Sequence, residues 1–292
     1  MTVGVLAHLF GKLPYRELAA KVGEAGFTHV QLAPWRAISD VDFNKPGKFN
    51  PGLALSIAEE FRKYGVSISV LGCYLHFFVQ DEELLRENVE RFKELIRYAS
   101  LLGAPMVAAE VGRNEDGTPY SERDWRVVKE VVRELADEAE KWGVFVGLEA
   151  ANDHLVGTAA ELATFLEEVP SSHIGVVIDP GNLLKTENLA RQDEIIREAF
   201  QLLGPRIIAA HAKDRRLSSS GEIETVPPGF GDMNYALYME LLEQYKPGVH
   251  IIMELLRSMK WLNPNAISKV IGSRLRKHSK CKRNHRRVHL HQ

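Results

Sequence analysis

The fold of this chain is decided by a unit that is clearest at residues 144–179, which read VFVGLEAANDHLVGTAAELATFLEEVPSSHIGVVID. The unit begins and ends with short apolar runs, VFVGLE and IGVVID, and such near-continuous runs are typical of strands that are buried on both faces. Between them, Thr158 precedes Glu161 by three residues, which is the spacing of a capping box at the start of a helix. The stretch therefore predicts a strand, a helix and a second strand.

The same unit recurs along the chain. Strands are predicted at 3–8, 29–33, 66–71, 105–110, 144–149, 174–179, 207–212 and 249–254. Helices are predicted between them, at 14–25, 82–102, 122–142, 158–169 and 234–245 among others. Several helices end near a glycine that suits a left-handed C-cap, namely Gly26, Gly65, Gly103 and Gly143. Eight such units predict an α/β protein with a single (β/α)8 TIM barrel over residues 1–277, although a doubly wound open sheet fits the same alternation.

Composition and charge exclude several classes of protein. The chain is 45% hydrophobic and 26% charged, which is typical of a folded globular protein, and no apolar run is long enough for a membrane span. Its two cysteines, Cys73 and Cys281, cannot form a disulfide framework, so a cytoplasmic location is expected.

The basic residues are unevenly distributed. Residues 274–292 carry eight Lys or Arg, four His and no acid, which leaves 29 basic against 39 acidic residues in the rest. The acidic body argues against a nucleic-acid partner, because nucleic-acid affinity comes from clustered cations. We expect residues 278–292 to be a disordered basic tail outside the barrel, and we assign it no function.

Four polar residues stand at the ends of predicted strands five to eight: Glu149, Asp179, His211 and Glu254. In a barrel the C-terminal ends of neighbouring strands surround one mouth, where the active site of this fold is built. Three carboxylates and one imidazole suit Mn2+, Mg2+ or Co2+, with Zn2+ as a further option. Each residue alone could be a strand-end group that pairs with a loop Lys or Arg, but four in register favour one divalent metal ion as cofactor.

The segments around these four residues resemble the xylose isomerase-like superfamily, and within it the sugar phosphate isomerase/epimerase group that includes ketose 3-epimerases. The resemblance runs over residues 3–256 and is carried by GLEAAN, GVVIDPGNLL, HAKD, PPGFGDMNY and IIMELL. It implies that the Glu, Asp, His and Glu bind one metal, and that Glu149 and Glu254 are catalytic and transfer protons through an enediolate. The implied partner is a small-molecule sugar or sugar phosphate, and a homo-oligomer is compatible with the family.

The chain departs from the family pattern at two positions. Many epimerases have a His three residues after the Asp ligand, where this chain has Asn182, and a second Glu where it has Leu155, although Asn152 matches. An isomerase or epimerase is therefore the first expectation and an inosose-type dehydratase the second. An apurinic endonuclease-like DNA repair enzyme is less favoured, since Asn182 and Glu110 replace expected histidines, and a barrel that binds a sugar without turnover stays open.

Further residues are candidate substrate contacts because they follow a predicted strand or belong to a motif. They are His8, Trp35, His76, Glu110, Asn152, Asn182, Lys213 and Asp214. Trp35 offers a ring that could stack on a sugar, and Lys213 and Asp214 belong to the family's HxKD pattern. We also expect a flexible loop at Gly229 and Gly231, and phosphate contacts from Arg215, Arg216 and Arg257 if the substrate is phosphorylated.

Overall fold

The computed structural model describes residues 2–114 and 117–255 of the chain. In chain order its helices and strands are β1 Val3–Leu6, α1 Tyr15–Glu24, β2 His29–Leu32, α2 Pro34–Ala37, α3 Pro51–Lys63, β3 Ser67–Gly72, α4 Glu82–Leu102, β4 Met106–Glu110, α5 Glu122–Trp142, β5 Phe145–Glu149, α6 Ala159–Glu168, β6 Ile174–Ile178, α7 Pro180–Leu183, α8 Gln192–Leu203, β7 Ile207–Ala212, β8 Asp214–Leu217, β9 Ile223–Val226, α9 Tyr235–Tyr245 and β10 Ile251–Met253. The last part of the predicted barrel, up to the boundary at 277, lies outside the described residues, and so do the basic tail 278–292 and Arg257.

Eight parallel strands close into a barrel in the order β1-β10-β7-β6-β5-β4-β3-β2. This confirms the predicted single TIM barrel and excludes the doubly wound sheet, because β1 pairs with both β2 and β10. No helix in the described ranges is long and apolar enough to cross a bilayer.

Local sequence signals set the helix ends. Thr158 and Glu161 form the predicted capping box of α6, in which the Glu161 backbone N–H donates to Thr158 Oγ1 at 3.1 Å. Gly143 ends α5 with a φ of 64°, a left-handed conformation that glycine adopts without steric cost. α5 therefore ends directly before β5 begins.

The interior of the barrel is filled with side chains below the mouth. A buried apolar group from six strands occupies it, consisting of Leu6, Val70, Met106, Ala108, Val177, Ala209 and Ile252. Successive side chains of a strand point to opposite faces, so the residue two positions further on faces inward as well. On β6, β7 and β10 those next inward residues are Asp179, His211 and Glu254, which places them in the layer above the packed interior.

A β-hairpin of β8 and β9 follows β7 directly, in a region where the sequence predicts only a loop. The two strands are antiparallel and pair Asp214 with Val226 and Leu217 with Ile223. The segment beyond the hairpin was expected to be a flexible loop. It is instead held by hydrogen bonds, because the backbone N–H groups of Gly229 and Gly231 both donate to the carboxylate of Asp214.

Candidate metal centre

The four strand-end residues meet at the mouth of the barrel. Glu149 is the last residue of β5, His211 lies in β7, and Asp179 and Glu254 directly follow β6 and β10. These four strands are neighbours in the barrel. One potential ligand atom from each residue lies within 4.8 Å of those of the other three, so the side chains can hold a single cation together.

Two atoms of this group lack a hydrogen-bond partner among the described residues. His211 Nδ1 lies 3.0 Å from Glu149 Oε2 and 2.9 Å from Glu254 Oε1, yet neither contact has the angle of a hydrogen bond. Asp179 Oδ2 is 3.3 Å from Lys213 Nζ and is likewise without a hydrogen bond. Buried polar atoms are normally hydrogen-bonded, so two unpaired atoms that can each offer a lone pair to the same cation fit a metal ion. The ligand set is rich in oxygen, which suits Mn2+, Mg2+ or Co2+.

Burial and neighbouring charges shift the proton affinities of the group. Burial raises the pKa of Asp179 to about 6 and also raises the pKa of Glu149. Burial would raise the pKa of Glu254 too, but Lys213 and His211 outweigh it and hold that pKa well below its usual range. The carboxylates of Glu149 and Glu254 in turn overcome burial and raise the pKa of His211. The centre is a concentration of negative charge that needs cations to balance it.

Asn182 links the centre to a fourth carboxylate. Its Nδ2 donates to Glu149 Oε1 at 2.7 Å and to Glu110 Oε1 at 3.2 Å. This contact occupies one oxygen of Glu149 and leaves the other, Oε2, facing His211. Glu110 ends β4 as predicted, and burial raises its pKa. Asn182 therefore orients Glu149, a role that the sequence did not reveal.

The cations near the centre have internal partners. Lys213 donates a short hydrogen bond to Glu254 Oε2. Arg215 donates to the carbonyl of Gly181 at 2.7 Å and to Thr225, and Arg216 pairs with Glu224 across the hairpin. The two described arginines that were candidates for a phosphate are therefore engaged in holding the hairpin and the turn after Asp179.

Asp214 is completely buried and binds the backbone of its own loop. Its Oδ1 accepts hydrogen bonds from the N–H groups of Arg215 and Met233, and its Oδ2 accepts those of Gly229 and Gly231, at distances of 2.9–3.0 Å. A Cβ on Gly231 would lie 2.3 Å from the carboxylate, so only glycine permits this approach. All four lone-pair positions of the carboxylate are used within the loop.

The two histidines that are predicted substrate contacts lie beyond the ends of their strands. β1 ends at Leu6, two residues before His8, and β3 ends at Gly72, four residues before His76, so neither histidine ends a strand as predicted. Burial and nearby Arg36 lower the pKa of His8 to about 4, and its buried Nδ1 has no hydrogen-bond partner among the described residues. His8 is consequently a neutral imidazole near pH 7.

Trp35 and Asn152 have protein partners. The guanidinium of Arg91 lies 4.9 Å from the centre of the Trp35 ring, so one face of the ring is already covered. The Asn152 side chain donates to the carbonyl of Leu184 at 2.9 Å and ties the loop after β5 to the turn after β6.

Two residues of the site escaped the sequence prediction. Gln31, on β2, contacts His211, and Tyr74, in the loop after β3, contacts Gln31. A signal for Gln31 was present, because a polar residue inside a strand of a covered parallel barrel must face either the helices or the barrel interior. Nothing comparable marked Tyr74.

A family model described as xylose isomerase-like TIM barrel matches residues 19–275. The chain belongs to this family. No curated protein matches its sequence. Among solved structures it is similar to a D-psicose 3-epimerase crystallised in the presence of D-fructose, with 17% identity, a TM-score of 0.69, and 93% of this chain and 99% of the other covered.

Two further similar structures contain metals. A xylose isomerase-like TIM barrel protein from Mycobacterium smegmatis in complex with magnesium is 20% identical, with a TM-score of 0.70 and 94% and 97% of the two chains covered. The IOLI protein with a bound zinc atom is 18% identical, with a TM-score of 0.67 and coverages of 94% and 96%. At these identities the likenesses establish a shared barrel fold.

Proposed function

We propose that this protein is a metal-dependent isomerase or epimerase that acts on a small sugar or sugar phosphate. The observation that carries the proposal is a pair of carboxylates around one imidazole. Glu149 Oε2 and Glu254 Oε1 lie 3.0 and 2.9 Å from Nδ1 of His211, and they reach it from β5 and β10, which are separated in the barrel by β6 and β7. Membership of the xylose isomerase-like family and the fold shared with a D-psicose 3-epimerase support the reaction class.

Glu149, Asp179, His211 and Glu254 would hold one divalent cation. When bound, such an ion polarises a substrate carbonyl and acidifies the neighbouring C–H. One of the two glutamates removes that proton, and the electron pair of the C–H bond moves to give an enediolate. The other glutamate returns a proton to the same carbon from the opposite face, which inverts the configuration of that carbon and gives an epimer. If the proton is returned to the former carbonyl carbon instead, the reaction interconverts a ketose and an aldose.

The surrounding residues would control this chemistry. Asn182 turns Oε2 of Glu149 toward the centre by occupying Oε1, and Lys213 does the same for Glu254 by occupying its Oε2. Glu110, at the end of β4, is available to accept a hydrogen bond from a sugar hydroxyl. The unpaired Nδ1 of His8, in the turn after β1, is also available to bind a sugar hydroxyl.

A substrate panel in D2O tests the reaction class. Wild-type protein with Mn2+ is incubated with ketoses, ketose phosphates and inososes, and proton NMR follows deuterium incorporation and product. Deuterium incorporation together with inversion of a carbon or migration of the carbonyl group supports the proposal. Loss of water from an inosose would assign the centre to a dehydratase. Cleavage of abasic DNA together with three zinc ions per chain would instead support an endonuclease, and unchanged panel compounds would favour sugar binding without turnover.

Glu254→Gln tests the two-carboxylate mechanism. The amide keeps an oxygen of similar size but cannot accept the proton, so turnover should fall by about 100-fold or more, while folding is retained. The same variant can still exchange the substrate proton from one face through Glu149. The control is Glu60→Gln, which removes a buried carboxylate on α3 that pairs with Arg16 and Lys63. Near-wild-type turnover in Glu254→Gln would rule out its role in proton transfer.

A further inference from the structure

A chain of hydrogen bonds runs from His211 on β7 to β2 and the loop after β3. His211 Nε2 lies 2.8 Å from Gln31 Oε1, and Gln31 Nε2 donates to the hydroxyl oxygen of Tyr74 at 2.8 Å. His211 and Gln31 are only 1% and 2% exposed, so water does not compete for these contacts. The guanidinium of Arg36 lies 4.1 Å from the centre of the Tyr74 ring and covers the outer end of the chain.

The direction of these hydrogen bonds follows from the groups available. The carbonyl oxygen of Gln31 faces the imidazole, and its amide nitrogen, which can only donate, faces the Tyr74 hydroxyl, which can accept. A carbonyl oxygen can only accept, and the hydrogen of this contact must therefore reside on Nε2 of His211. Nδ1 is then the nitrogen that can offer a lone pair, and it is the one that faces Glu149 and Glu254.

We propose that Gln31 is a positioning residue of the metal centre: its carbonyl oxygen keeps the hydrogen of His211 on Nε2, and Tyr74 holds the Gln31 amide in the orientation that makes this possible. The proposal rests on the metal-dependent function proposed above. It gives a reason for a polar residue in the buried strand HVQL, because an apolar side chain at that position would leave Nε2 of His211 without a partner.

The consequence concerns metal affinity. A histidine ligand whose outer N–H is held by an acceptor has a fixed tautomer and ring orientation, and loss of such a partner weakens metal binding by about 10- to 100-fold. Gln31→Leu removes the acceptor and keeps a side chain of similar volume. Gln31→Glu retains an acceptor oxygen, and the Tyr74 hydroxyl can reverse its role and donate to it.

The test is titration of each purified full-length variant with Mn2+, with free Mn2+ measured by electron paramagnetic resonance. We expect the dissociation constant to rise about 10- to 100-fold in Gln31→Leu, and to stay within about threefold of wild type in Gln31→Glu. Ser69→Ala is the matched control. Ser69 is buried on the adjacent strand β3 and, among the described residues, donates to the Val30 carbonyl alone, so the dissociation constant for Mn2+ should not change. Rescue by Glu separates a positioning role from general damage to the fold.

A second measurement detects the hydrogen on Nε2 of His211 directly. In 15N-histidine-labelled protein loaded with Zn2+, wild type should show a protected imidazole N–H at Nε2 of His211, and Gln31→Leu should lose that protection. If Gln31→Leu does not fold, Gln31→Met takes its place, with the same expected loss of affinity of about 10- to 100-fold. Wild-type affinity in whichever of these two variants folds overturns the role of Gln31. Failure of wild type itself to bind Mn2+ overturns the metal centre, which is a distinct result.

Discussion

Replacement of Asp214 by Ala should destabilise the protein strongly, although its family motif points to contact with substrate. The carboxylate is completely buried and accepts four backbone N–H groups, from Arg215, Gly229, Gly231 and Met233. The substitution removes the acceptor of all four N–H groups at once, in the hairpin and in the loop that follows it.

The size of the effect follows from the cost of unpaired donors. Each buried N–H that loses its acceptor costs about 1–3 kcal/mol, but relaxation of the loop lets water reach some of them. If two of the four stay unpaired, the free energy of unfolding falls by about 3 kcal/mol, which for a chain of this size lowers Tm by roughly 5 °C. Asp214→Asn keeps one acceptor oxygen and should lose about half as much.

The assay is thermal unfolding followed by circular dichroism, with Asp81→Ala as the matched control. Asp81 caps α4 by accepting two backbone N–H groups, but it is exposed, so its loss should cost only about 1 kcal/mol. A Tm for Asp214→Ala within about 2 °C of wild type, together with a collapse of turnover, would refute this reasoning and return Asp214 to the substrate site.

Three other predictions address the metal, the tail and the pH dependence. Metal analysis should find about one divalent ion per chain in wild type, and Asp179→Ala or His211→Ala should lose it because no other side chain replaces the missing ligand atom. Full metal content in both variants would contradict the proposed site. Deletion of 278–292 should leave metal binding and turnover unchanged, because this basic segment has no apolar periodicity with which to pack on the barrel, and loss of soluble or active protein would show otherwise. Burial and nearby His250 lower the pKa of His29 from 6.5 to about 4, so between these values the unfolded chain binds a proton that the folded chain does not, and stability falls as the pH falls. Urea unfolding should therefore show that His29→Gln reduces the loss of stability in this window by up to about 3 kcal/mol, whereas an unchanged loss would exclude His29 as the cause.

The strands and their inward faces were predictable from local sequence. Near-continuous apolar runs mark strands that are buried on both faces, and the alternation of side chains assigns Glu149, Asp179, His211 and Glu254 to the same face as the interior residues below them. The helix ends were also readable, because capping needs particular residues, such as Thr158, at positions a few residues apart.

The sequence by itself thus determined the succession of βα units and which polar residues stand at the ends of their strands, whereas closure into a barrel instead of an open sheet was decided by the tertiary structure. Only the tertiary structure decided what those residues contact. Gln31 and His211 are 180 positions apart and meet because closure of the barrel leaves only β1 and β10 between β2 and β7. Asn182 joins two carboxylates, and Asp214 serves its own loop instead of the open mouth. The physical reason is that strand periodicity is local, whereas hydrogen-bond partners across a barrel depend on strand register and loop paths that the whole chain sets together.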